Sequence, residues 1–337
     1  MKLTNGFLIG LLTLVFPAHA QDNSLYPPVK ATTKVALPGT MVNAPKCDDR
    51  GNVYLRVQDE EASKSGRKHS QSPVYEIAPN GSVLRSFDVF EVSPDLTAIP
   101  FFVTGDGKVY MGAFDPDYGV YVVSFPSGSA GQKLRLDSDY FLPYQIAVFK
   151  TGEILLSGVV GPRIRGVYTA VFDARGKLLK KIQEPEDEDA RLKAEAGEYD
   201  YTFEQTPGFG NYFAIKGDAA LGSDGNVYLL RSTGLIYVIS HTGEVLRKMR
   251  IPPPQPGMVA YALKATQDKL AVVFLYRGRT VGRIDIVDYN GRPITTRTDP
   301  TISTAFLACY ASQGDSEGFA FAGFRDGQIA ITRFKQQ

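Results

Sequence analysis

The stretch "SDGNVYLLRSTGLIYVISHTGEVLRKM", Ser223 to Met249, holds three apolar runs separated by turns. Asp224-Gly225 precedes the first run and Thr242-Gly243 the last. Pairs of this kind supply the positive φ that tight antiparallel hairpins require. The first two runs are almost continuously apolar, whereas the last carries Arg247 and Lys248. A run that is apolar on both faces reads as a strand covered on both sides. A charged run reads as an edge turned to water.

The same pattern recurs along the chain. "DRGNVYLRV" stands at 49–57, "GDGKVYMGAF" at 105–114 and "TGEILLSGVV" at 151–160. "TQDKLAVVFLY" is a degenerate copy with Lys269 in place of the glycine, and "SEGFAFAGF" is a sixth copy at Gly318. Most copies run on to a second turn, as in "PNGSVLRSF", "ARGKLLKKI", "SHTGE" and "YNGRP", and then to a more polar strand. Each unit therefore reads as four antiparallel strands, a to d, with a innermost. This is the size of one propeller blade, and a blade buries its faces only against neighbours. The expectation is an all-β, six-bladed β-propeller spanning 32–337 as one domain, behind a linker at 21–31. The sixth copy ends before a strand d, and "TTKVALPG" at 32–39 is like the "RKMRIPPPQPG" segment that leaves the fourth unit, so residues 32–38 are expected to supply that outer strand and close the ring.

"IYVISHTGEVLRKMRIP" and "RIDIVDYNGR" resemble the NHL-type six-bladed propellers. The resemblance covers nearly all of the chain beyond its first residues as a pattern of strands and turns. The fuller signature, with Asp and Asn ahead of Arg-Ile, is missing. The resemblance implies the fold. It implies no single function, because members include enzymes, binders and scaffolds.

Residues 1–20, "MKLTNGFLIGLLTLVFPAHA", carry a positive Lys2, a short apolar core and a small-residue Ala18-His19-Ala20 site. That is the pattern of a signal peptide cut before Gln21, so export to the periplasm or medium is expected. No other run is apolar enough to span a membrane. Loss of Lys2 takes the formal charge from +1 to 0, which leaves no electrostatic footprint for nucleic acid. Nothing in the sequence argues against a monomer. The two cysteines, Cys47 and Cys309, fall on the inner strands of ring neighbours, and the sequence leaves open whether they bond.

Two insertions, 58–73 and 184–213, fall on the face that carries the b–c loops and the d-to-a connections. Long loops on a rigid scaffold tend to carry function, so this face is expected to bind a small molecule, glycan or protein. The second insertion reads as a short helix at about 186–196 followed by aromatic residues that include Tyr199 and Tyr201. Those rings either pin the insertion to the blades or offer a stacking platform. Arg163, Arg165, Arg231, Arg277 and Arg325 lie in b–c loops. They read either as a solvated rim that pairs with the acidic insertion or as a ring that grips an anion bidentately. Lys216 and Asp218 interrupt the inner strand "YFAIKGDAAL" and read as an internal ion pair or as a ligand contact at the channel.

Catalytic signals are sparse. Beyond the leader only His69 and His241 occur, and they lack metal-ligand spacing. "FDPDYG" at 114–119 matches no full calcium motif and reads as a turn. No metal, cofactor or catalytic residue is expected. The leading reading is a non-enzymatic binding protein or scaffold. The alternative is a lyase or hydrolase acting on a polysaccharide or lactone at the channel mouth.

Overall fold

A computed structural model describes residues 29–37, 39–41, 45–58, 64, 67, 69–126, 130–160, 167–182, 217–255, 258–276, 281–298, 305–313, 316–325 and 327–335. Six antiparallel sheets follow one another around a ring, as a six-bladed β-propeller. Blade 1 contains Lys46–Cys47, Val53–Gln58, Val74–Ile77 and Val83–Phe87, with Thr40–Met41 also paired to its strand b. Blade 2 is Thr97–Val103, Val109–Phe114, Val120–Phe125 and Gln132–Arg135. Blade 3 is Phe141–Val148, Ile154–Val160, Val167–Phe172 and Leu178–Ile182. Blade 4 is Ala219–Leu221, Val227–Leu230, Leu235–Ile239 and Val245–Arg250. Blade 5 is Met258–Ala265, Lys269–Tyr276, Val281–Asp288 and Pro293–Arg297.

Blade 6 takes three strands, Ala305–Gln313, Ser316–Arg325 and Gln328–Lys335, from the end of the chain and its outer strand, Val29–Val35, from the beginning. That strand runs antiparallel to Gln328–Lys335, from Val29 opposite Phe334 to Val35 opposite Ile329. It begins inside the stretch assigned to the linker. Pairing with the last strand sets its ends, rather than the local likeness that pointed to 32–38.

The burial patterns explain the residue choice. Every residue of the blade 4 strands Val227–Leu230 and Leu235–Ile239 is buried, while Val245–Arg250 is exposed at all but Met249. The apolar faces meet between blades. Tyr228, Leu230 and Ile236 of blade 4 pack against Met258, Leu263 and Val272 of blade 5. Each such side chain, fully buried, contributes roughly 1.5–3 kcal/mol. The helix expected at 186–196 lies outside the described residues. One α-helical turn, Val89–Val92, follows blade 1 and is capped by Asp88, whose Oδ1 accepts from Phe90 N at 2.9 Å.

The turn glycines do what the repeat implies. Gly225 sits at φ +82, and a Cβ there would meet nothing within 4 Å. Gly176 sits at φ +83, but a Cβ there would drive into the carbonyl oxygen of Arg135 on the neighbouring blade. Gly225→Ala should therefore cost about 1 kcal/mol, from backbone strain alone. Gly176→Ala should cost about 3 kcal/mol or more, because strain and a backbone clash add. Urea denaturation of the two variants checks this, and equal losses would contradict the packing between blades 2 and 3.

Candidate functional site

The inner strands of all six blades run toward the axis and end in a–b turns. Around those ends lies a cavity of about 520 Å³, lined from Asp48 in blade 1, Thr104 in blade 2, Lys150 in blade 3, Ser223 in blade 4, Thr266 in blade 5 and Tyr310 in blade 6. Its volume falls in the range of small-molecule sites. It opens on the face of the tight a–b turns, opposite the face of the b–c loops.

The cavity wall holds a charge cluster that spans the axis. Asp218, 7% exposed, stands just before the inner strand of blade 4. Its Oδ1 accepts from Ala219 N at 2.9 Å and from the Lys46 amine of blade 1. Its Oδ2 accepts from Leu263 N at 3.2 Å and lies 4.0 Å from the Lys264 amine of blade 5. Lys264, 8% exposed, also donates to the Pro45 carbonyl at 2.8 Å. Burial lowers the pKa of Lys264 to about 8, and the like charge of Lys46 adds to the shift while Asp218 opposes it. Two amines that line the cavity thus share the one carboxylate of Asp218. At its edge, Asp48 is turned away and saturated: it accepts from Arg50 Nη2 at 2.8 Å, Asn52 Nδ2 at 3.0 Å and Tyr54 Oη at 3.2 Å.

The arginines read as a rim are placed differently. Arg231 is fully buried between blades 3 and 4. Its Nη1 donates to Gln145 Oε1 at 2.8 Å and Ser157 Oγ at 3.0 Å, and its Nη2 donates to Thr169 Oγ1 at 3.1 Å. The cause is the tightness of the b–c link, where Gly234 N donates to Arg231 O at 2.9 Å and turns the side chain inward. Arg56, within strand b of blade 1, is also fully buried and donates to Ser70 O at 2.9 Å and to Ala98 O. Arg325 is exposed, at the strand end opposite Gln328. Arg163, Arg165, Arg277, Lys216, Tyr199 and Tyr201 lie outside the described residues. Asp115 caps its own turn, accepting from Gly119 N at 2.7 Å.

No family model matches the chain, and neither does any curated protein. Solved structures do match. A virginiamycin B lyase from Staphylococcus aureus is 14% identical, with a TM-score of 0.50 over 91% of this chain and 88% of that one. A putative gluconolactonase is 12% identical, with a TM-score of 0.52 over 94% and 96%. A calcium-binding protein, regucalcin, from Agrobacterium tumefaciens is 11% identical, with a TM-score of 0.53 over 92% and 95%. At this identity the likeness is one of fold, and the fold is the propeller.

Sequence reasoning found Asp218 but missed Lys46 and Lys264. The signal was available, since "YALKA" at 261–265 also places a charge in an inner apolar strand. The shift at Lys264 has a measurable consequence. An unfolded lysine with its ordinary pKa of 10.5 binds a proton that the folded one has lost between about pH 8 and 10.5. Stability should therefore rise with pH across that window, by up to ~3 kcal/mol, and the charge's cost should be fully present below pH 8. Lys264→Met should flatten that rise relative to the parent in urea melts at a series of pH values. Parallel curves for the two proteins would contradict it.

Proposed function

We propose that the protein is a binding protein whose axial cavity takes a small anionic ligand, such as a carboxylate or a phosphate ester. The observation that carries this reading is the sharing of one carboxylate, that of Asp218, by two amines that line the cavity, the buried Lys264 and the partly buried Lys46. Asp48 is paired with Arg50, so Lys46, Lys150 and Lys264 stand against Asp49 and Asp218 at the cavity, and one amine is left in excess for an incoming anion. Hydrogen bonds to charged groups contribute about 1.5–3 kcal/mol each. Lys46→Met and Lys264→Met should therefore each weaken binding roughly tenfold or more in calorimetric titrations against a panel of small carboxylates and phosphate esters. Arg325→Ala, on the opposite face, should leave affinity unchanged. Affinity should also fall as the pH rises through 8, where Lys264 loses its proton. Anion binding that survives both lysine substitutions but fails in Arg325→Ala would place the site on the face of the b–c loops instead.

A second reading, a lyase or hydrolase acting on a polysaccharide or lactone, draws on the same lysine. An amine that is close to neutral inside a cavity is suited to act as a general base. Turnover that rises through about pH 8 and vanishes in Lys264→Met would favour it. Binding without turnover in a panel of acidic polysaccharides and lactones would exclude it.

A further inference from the structure

The wall of the axial cavity carries a second pair of reactive groups that the anion site does not use. Cys47 ends the inner strand of blade 1, and Cys309 lies in the inner strand of blade 6. The two strands pack against each other where the first and last blades meet. Both cysteines are free, both line the cavity, and both are partly exposed to it. Cys309 also packs on the apolar cluster that joins the two blades, beside Val53, Leu55 and Ala308. The chain has only these two cysteines, so neither has a competing partner within it.

We propose that Cys47 and Cys309 form a reversible dithiol–disulfide site that reacts with small disulfides entering the axial cavity and, on closing, ties blade 1 to blade 6. The roles of the two thiols are unequal. The neighbouring Cys309 thiol, aided by the charge of Lys264, lowers the pKa of Cys47, while burial raises that of Cys309. Cys47, as the thiolate, is the attacking group. Its proton goes to water, and its sulfur attacks one sulfur of the incoming disulfide. That S–S bond breaks, and one thiolate leaves with a mixed disulfide formed on Cys47. The leaving thiolate takes the proton of Cys309. The Cys309 thiolate then attacks the Cys47 sulfur, and the second thiolate leaves and is protonated by water. Two protein thiols are oxidised and one small disulfide is reduced to two thiols, so atoms and electrons balance. The product staples the segment that follows the N-terminal strand to the last blade, and so adds a covalent link to a closure that otherwise rests on the pairing of Val29–Val35 with Gln328–Lys335.

The test uses the reduced full-length protein with bis(hydroxyethyl) disulfide as the probe. Samples are quenched in acid, alkylated under denaturing conditions and weighed by mass spectrometry. Both thiols should disappear together, with no adduct left at equilibrium, and the oxidised protein should melt at least ~4 °C above the reduced one. Cys309→Ser should accumulate the hydroxyethyl adduct on Cys47. Cys47→Ser should modify Cys309 at least tenfold more slowly. Where a variant fails to fold, peptide mapping of the wild-type time course should show the transient adduct on Cys47. Two free thiols after prolonged exposure to excess probe, stable adducts on both cysteines, or faster reaction at Cys309 would each overturn the proposal.

Discussion

The structure depends on burial between blades. A four-stranded blade here has an apolar inner half on both faces, and neither face is covered by anything inside the blade itself. Around the ring each blade covers the next, so the last must be locked to the first. The lock is Val29–Val35 laid along Gln328–Lys335. Thr32 and Thr332 meet at 3.1 Å across it, and Arg333 Nη2 reaches the Gly51 carbonyl of blade 1 at 2.9 Å. Beneath them Val35, Ile329 and Ile331 pack with Val53 and Leu55. The pairing removes an open strand edge, which would otherwise invite association with another chain.

The same closure builds the site. Lys46 and Cys47 belong to the first blade, Cys309 to the last, and Asp218 and Lys264 to blades 4 and 5. These residues are far apart in sequence and share no local motif. They become neighbours because six inner strands end around one axis. The polar staples between blades follow a similar logic. Arg231 holds blade 4 to blade 3 through Gln145, Ser157 and Thr169, and Arg297 of blade 5 reaches Glu317 of blade 6, where Tyr310 also donates at 2.8 Å. Buried hydrogen-bonded charges of this kind fix how blades stack as well as how strongly.

The ring was legible in the sequence because its determinants are local. Glycines at positive φ, such as Gly51, Gly107 and Gly225, mark the turns, and the change from apolar to charged runs marks inner against outer strands. Asp218 was legible for the same reason, as a charge in an apolar strand. Its partners were not, because Lys216 is adjacent in sequence while Lys46 and Lys264 arrive from other blades. Arg231 was misread as a rim group because a turn arginine is usually solvated, and only the packing of blade 4 on blade 3 turns it inward. The long insertions in the sequence point to the b–c face, whereas the cavity is formed by the tight a–b turns. Loop length reports where the chain is unconstrained. It does not report where the ends of inner strands leave space.

The claim on which the rest stands is that the N-terminal strand closes the ring. A chain lacking residues 29–37 should be compared with the parent in thermal melts and by light scattering, with and without a synthetic peptide of those residues. The account predicts a lower melting temperature and self-association in the truncated chain, and recovery of both when the peptide is added. A truncated chain that melts with the parent and stays dispersed would contradict it.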